Sequence, residues 1–183
     1  WLTLTTTGGL TNTHTGLQTN TEYQYRIVAT NPYGSVTSPA QAITTFANPP
    51  ALTATASSGT TIDLTWPAVS GTTTYSVYSS ANDVTFTLEQ SGISATTYQA
   101  TGLSLGQTVY YKVTVTNAAG ESVQSSSATA TTWSLPGTPT GLTITNPTPT
   151  TARFTWTAPT DFGGASSVTY TLQRSTDNAN WIS

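Results

Sequence analysis

Pro50-Ala51-Leu52, running on to Ile62-Asp63-Leu64-Thr65-Trp66, is the stretch whose reading decides the fold, because it occurs twice. It returns as Thr140-Gly141-Leu142 to Arg153-Phe154-Thr155-Trp156, with the same Leu-to-Trp separation and an offset of 90 residues. A second pair runs from Gly16-Leu17 through Tyr25-Arg26-Ile27 to Asn31. It recurs as Gly102-Leu103 through Tyr111-Lys112-Val113 to Asn117, offset by 86. Both spacings describe one repeated module of the size of a small β-sandwich.

Alternation within the repeat points to strands. Ile62, Leu64 and Trp66 fall on one face, while Thr61, Asp63 and Thr65 fall on the other. Val109, Tyr111, Val113 and Val115 alternate in the same way with Tyr110, Lys112, Thr114 and Thr116. Between turn-forming residues the middle module divides into seven strands: Leu52–Ala56, Thr61–Trp66, Thr74–Ser79, Thr85–Glu89, Thr96–Ala100, Val109–Thr116 and Val123–Thr131. Two sheets packed face to face would bury Trp66, Tyr75 and Tyr111 in one core. The composition agrees, since Thr and Ser make up 65 of the 183 residues and β-branched Thr suits strands better than helices.

These residues resemble fibronectin type III domains of the bacterial and phage type. The resemblance is carried by Asp63-Leu64-Thr65-Trp66 and Arg153-Phe154-Thr155-Trp156 as the strand B tryptophan motif. Pro159-Thr160-Asp161-Phe162-Gly163-Gly164 followed by Tyr170-Thr171-Leu172-Gln173-Arg174-Ser175 is similar to the B-to-C loop and strand C. Thr21-Glu22-Tyr23 with Asn31-Pro32-Tyr33-Gly34-Ser35, and Asn117-Ala118-Ala119-Gly120-Glu121-Ser122, are similar to strand F and the F-to-G turn. The resemblance covers nearly the whole chain and implies an all-β protein of tandem immunoglobulin-like sandwiches. It also implies core roles for Trp66, Tyr75, Tyr111, Trp156 and Tyr23. Tyr23 takes the place of the family's corner tyrosine, but the equivalent residue of the middle module is Val109, so that corner must be held without a phenol. Pro49-Pro50 and Pro136 with Pro139 precede the first strands and stiffen the junctions. Boundaries near Phe46 and Trp133 give a half-module at 1–46, a complete module at 47–132 and a second half-module at 133–183.

Charge excludes several roles. Lys112, Arg26, Arg153 and Arg174 are the only cations against seven acids, a net charge of -3, so no basic patch offers itself to a phosphate backbone or an anionic membrane surface. No apolar run reaches the length of a membrane span, and there is no cysteine for a disulfide, thiol nucleophile or thiolate metal site. The lone histidine, His14 in Thr13-His14-Thr15, reads as exposed and without a role on a polar strand. Asp63, Asp83 and Glu89 fall on separate surfaces, so no carboxylate pair converges for glycosidase chemistry. Gly163-Gly164 lacks the Lys-Ser/Thr of a phosphate loop, and Asp161, Asp177 and Asn178 supply too few oxygens for calcium. Catalytic, cofactor and metal residues are therefore expected to be absent.

What remains is a set of outward tyrosines, Tyr33, Tyr78 and Tyr110, which could stack on a sugar or pack across strands. The sequence favours packing. The preferred expectation is a non-catalytic repeat segment of an extracellular fibre, filament, stalk or adhesin. Its partners would be copies of itself, with glycans in addition, and its threonines would carry O-linked sugars. The alternative is a set of spacer modules in a secreted carbohydrate-active enzyme, or a phage tail fibre segment. The expectation of self-association rests on alignment: Trp181-Ile182-Ser183 and Trp1-Leu2-Thr3 both fall on Phe86-Thr87-Leu88. Residues 1–46 thus carry the second half of a sandwich and residues 133–183 the first half, so the halves of successive copies are complementary head to tail.

Overall fold

The structure is a computed structural model that describes residue 3 and residues 8–145 and 147–183. Trp1 and Leu2, two of the residues that align on the Phe86 segment, lie outside the described residues. Fourteen strands and no helix occur among the described residues: β1 Glu22–Tyr25, β2 Val28–Asn31, β3 Gly34–Thr37, β4 Gln41–Thr44, β5 Thr53–Ala56, β6 Ile62–Thr65, β7 Thr74–Ser80, β8 Thr87–Ile93, β9 Thr97–Ala100, β10 Thr108–Asn117, β11 Gly120–Glu121, β12 Ala128–Thr131, β13 Thr140–Thr145 and β14 Arg153–Thr157. None of the described residues forms a helix long and apolar enough to cross a membrane.

The middle segment forms two sheets, one ordered β5-β6-β9 and the other β11-β10-β7-β8 with β12 also on β10. The alternating face of β6 supplies Ile62 and Leu64, both wholly buried, and Trp66 follows at 5% exposure. From the other sheet Tyr75, Val77, Tyr111, Val113 and Val115 turn inward and are buried. Trp66 packs on Tyr75 with ring centroids 5.4 Å apart. β7 lies antiparallel to β10 with Val77 opposite Val113 and Tyr78 opposite Lys112. Two strands differ from the sequence reading by more than one residue at an end. The fourth strand runs from Thr87 to Ile93 rather than Thr85–Glu89, and its pairing with β7 carries a bulge. The expected last strand, Val123–Thr131, is strand only at β12, Ala128–Thr131, and ahead of it Ser122 and Ser125 each bond β10 with both backbone and hydroxyl. Val115 N–H donates to Ser122 Oγ at 3.1 Å and Val113 N–H to Ser125 Oγ at 3.0 Å, so a hydroxyl takes the place of a ladder carbonyl.

The N-terminal segment folds as hairpins only. β1 pairs with β4, Tyr23 opposite Ile43, and β2 pairs with β3, Asn31 opposite Gly34. That second turn repeats the pairing of Asn117 with Gly120 in the middle segment. The C-terminal segment holds β13 against β14, with Thr143 opposite Thr155, and an isolated bridge from Arg174 to Ile182. Among the described residues each flanking segment shows only these pairings, and apolar side chains lie uncovered: Ile27, Ile43, Leu142, Ile144 and Trp156 are all at least 40% exposed.

By backbone contacts the chain gathers into two compact units. The first contains the residues up to Ala54 with Leu64–Tyr98 and Val109–Thr129, and the second contains Thr55–Asp63, Gln99–Thr108 and Ala130–Ser183.

Candidate functional site

The outer face of the sheet β8-β7-β10 presents the side chains that the alternation turns away from the core. Tyr78 and Tyr110, two of the candidate sugar-stacking residues, lie on its neighbouring strands, Tyr78 opposite Lys112 and Tyr110 opposite Ser80. Tyr78 Oη donates to Glu121 Oε1 at 2.8 Å, and Thr114 Oγ1 donates to the same oxygen at 2.5 Å. Partial burial, followed by the hydrogen bond to the Glu121 carboxylate, holds the Tyr78 phenol above the usual range. Beside it the Lys112 ammonium sits 4.3 Å from the centre of the Phe86 ring, a cation–π contact. These are cross-strand contacts that tie the sheet together. Tyr33 stands apart on the β2-β3 turn, 97% exposed, where its N–H donates to Asn31 Oδ1.

The core residues divide by segment. Trp66, Tyr75 and Tyr111 are buried in the middle sandwich. Trp156 on β14 is 40% exposed, although it contacts Tyr170 at 5.4 Å between centroids. Tyr23 is half-buried and its Oη accepts the Gln18 N–H at 2.9 Å, the hydrogen bond of a corner tyrosine.

Junctions between the repeated segments are built from specific side chains. In the first unit Asn20 lies in the left-handed region at φ 52°, and its N–H donates to the carbonyl of Phe46. The Asn20 amide also reaches the Ser70 carbonyl, while Asn117 Nδ2 donates to Asn20 Oδ1 at 2.9 Å and to the Thr45 carbonyl at 2.8 Å. In the second unit Gly106 N–H donates to the Trp133 carbonyl at 3.0 Å, the same bond made one repeat later. There the next residue, Ser134, donates its N–H to the Gly163 carbonyl at 2.8 Å, and Asp161 Oδ1 fixes the loop by accepting the Gly163 N–H. Gly163-Gly164 is therefore a junction loop seated against Trp133 and Ser134, and φ 67° at Gly163 suits only glycine.

Groups that could do chemistry are used locally. His14 lies outside any strand, and its Nδ1 is 2.9 Å from Tyr25 Oη, with its ring edge-on to Tyr23 and Tyr25; the imidazole expected to be without a role is thus part of an aromatic cluster. Asp63 Oδ1 accepts from Gln99 Nε2 at 2.7 Å. Asp177 accepts from the Ala179 and Asn180 N–H groups, Asn180 Nδ2 and Ser175 Oγ, and these bonds hold its carboxyl well below the usual range. Among the described residues no group of three or more His, Cys, Asp or Glu side chains gathers to hold a metal ion. Among the roles that escaped the sequence reading are Lys112 with Phe86 and the hydroxyls of Ser122 and Ser125, which precede β12. The first lacks any signal in one dimension. The second leaves the alternation of the inward valines untouched, so period two does not reveal it.

No protein family's sequence profile matches the chain. The chain is 32% identical over 186 aligned positions to Exoglucanase B of Cellulomonas fimi, a match covering 88% of this chain and 16% of that protein's length. Among solved structures, an Fn3-like protein from Clostridium thermocellum is similar at 33% identity, over 45% of this chain and 92% of that one, with a TM-score of 0.41. A beta-1,2-glucanase from Parabacteroides distasonis is similar at 30% identity, over 46% of this chain and 12% of that one, with a TM-score of 0.43.

Proposed function

Starting from the fibronectin type III fold that the two sheets of residues 53–131 make, we propose that this chain is a non-catalytic spacer segment of a secreted carbohydrate-active enzyme. The observation that carries the reading is the 32% identity to Exoglucanase B across 88% of the chain. The side chains support it: Asp63, Glu121, Asp161 and Asp177 are engaged in turns and cross-strand bonds, and Tyr78 of the outer sheet face is tied to Glu121. The repeated junctions, Asn20 with Phe46 and Gly106 with Trp133, suit a role in which modules set the separation of other domains. An extracellular setting accords with a surface kept wet by Ser and Thr hydroxyls rather than by charge.

The test is made on the 183-residue chain itself. Incubated with soluble β-glucans and with insoluble cellulose, it is expected to release no reducing sugar and to stay in the supernatant. Sugar release that copurifies with the chain would overturn the non-catalytic assignment. Retention on cellulose that Tyr78→Ala or Tyr110→Ala abolishes would replace spacing with glycan binding.

A further inference from the structure

Asn20 and Gly106 hold the same position in successive repeats, and both lie in the left-handed region, at φ 52° and 67°. Glycine adopts that conformation at the lowest cost, so what sets Asn20 apart is its carboxamide. Its Oδ1 accepts from Asn117 Nδ2 at 2.9 Å, its Nδ2 donates to the Ser70 carbonyl, and its backbone N–H donates to the Phe46 carbonyl at 2.9 Å. Asn117, only 5% exposed, divides its own carboxamide between two tasks. The Oδ1 shapes a turn by accepting the Ala119 N–H at 2.9 Å, as Asn31 Oδ1 accepts the Tyr33 N–H one repeat earlier. The Nδ2 reaches instead to the N-terminal segment, donating to Asn20 and, at 2.8 Å, to the Thr45 carbonyl. All of these residues belong to the first compact unit. Nearby the Phe46 ring lies against Gly120, and the connecting residues 47–50 include the buried Ala47 and the φ-restricted pair Pro49-Pro50.

We propose that the Asn20–Asn117 carboxamide pair is a clasp, a conformational lock that holds the N-terminal hairpins and the sheet of β7 and β10 as one body. Modules joined by a short connection move relative to one another unless their contact prevents it. Here the contact is directional. Each carboxamide is bonded on both its oxygen and its nitrogen, so a swing of the hairpins about residues 47–50 breaks the Asn20–Asn117, Asn20–Ser70 and Asn117–Thr45 bonds together. Gly106 has no side chain with which to build such a bridge, and the second junction relies on the backbone bond from Ser134 to Gly163. The first junction is thus a strut where a bare peptide connection would be a tether. The clasp goes beyond the spacer reading and does not rest on it.

The test uses the 183-residue chain with spin labels on two introduced thiols, since it contains no cysteine of its own. Thr37→Cys labels the hairpins and Val84→Cys the middle sandwich, both at exposed positions. Two further substitutions isolate the clasp. Asn20→Gly keeps the left-handed turn, as Gly106 does, and removes the bridge. Asn117→Asp keeps an oxygen for the Ala119 N–H but sets a carboxylate oxygen against Asn20 Oδ1 and the Thr45 carbonyl. The parent is expected to give one narrow distance distribution by pulsed electron paramagnetic resonance, and each variant a distribution at least about twofold wider. Hydrogen exchange at the buried Val77 and Val113 amides should stay as in the parent, which shows that the sandwich itself is intact. A parent distribution as wide as the variants', or a folded variant as narrow as the parent, would overturn the proposal; should Asn117→Asp fail to fold, Asn20→Gly alone decides.

Discussion

Gln107 accepts the Ser104 N–H at 2.8 Å through its side-chain carbonyl, in the position where Tyr23 accepts the Gln18 N–H at 2.9 Å one repeat earlier. The rest of the corner is the same in both copies. Thr45 Oγ1 donates to the Gln18 carbonyl at 2.7 Å, and Thr132 Oγ1 donates to the Ser104 carbonyl at 2.6 Å. The middle module has thus replaced a phenol reaching back from the strand with an amide on the loop. Gln107→Ala is expected to lower stability by about 1 kcal/mol, the value of one part-exposed hydrogen bond, and Gln107→Glu to lower it less because an acceptor is retained. Urea melts of the three proteins measure it.

Ser125 poses a sharper demand. Its hydroxyl is the acceptor for the buried Val113 N–H, and its own N–H donates to the Val113 carbonyl at 3.0 Å. Ser38 makes the same two bonds with Ile27 in the N-terminal segment. Ser125→Ala leaves a buried donor without a partner and should cost about 1–3 kcal/mol, whereas Ser38→Ala, at an exposed site, should cost less than about 1 kcal/mol. Equal effects in thermal melts would contradict the burial argument.

Tyr111 is wholly buried and its hydroxyl has no hydrogen-bond partner among the described residues. Burial first, then the nearby Glu89 carboxylate, raises its pKa well above that of a free phenol. A raised acid pKa adds stability that is fully present below the unfolded value of about 10 and is lost as pH climbs beyond it, because only the unfolded chain ionises readily there. Stability should therefore fall above about pH 10. Tyr111→Phe should shrink that loss and, at neutral pH, match or exceed the parent by up to about 1 kcal/mol. Chemical denaturation at pH 8 and at pH 11 compares the two.

Gly163 tests the second junction. A side chain there would stand 2.1 Å from the Ser134 carbonyl on a backbone already in the left-handed region. Gly163→Ala should destabilise by about 2 kcal/mol or more and free the Ser134 amide. Hydrogen exchange at Ser134 reads the local effect directly, and unchanged protection would show that the loop is not seated there.

Much of this fold is legible in the sequence, and for a definite reason. Ile62, Leu64, Trp66 and the valines of β10 alternate cleanly, so their faces follow from period two alone. The repeat offsets also place Asn31 and Asn117 at equivalent turns, which the paired registers reproduce. The break at Ser122 and Ser125 was hidden because a hydroxyl that replaces a ladder carbonyl leaves the hydrophobic pattern untouched. Gln107 was hidden because its role is defined by the absence of a tyrosine two residues later. The candidate surface was harder to read: Tyr78 is visible as outward, but its bond to Glu121 depends on a neighbouring strand far along the chain.

The central claim, that these modules serve as spacers in a carbohydrate-active enzyme, is tested most directly by mass-spectrometric sequencing of the intact native polypeptide that carries them. The account predicts a glycoside-cleaving domain on the same polypeptide, outside the 183 residues. A polypeptide composed of fibronectin type III modules alone would contradict it.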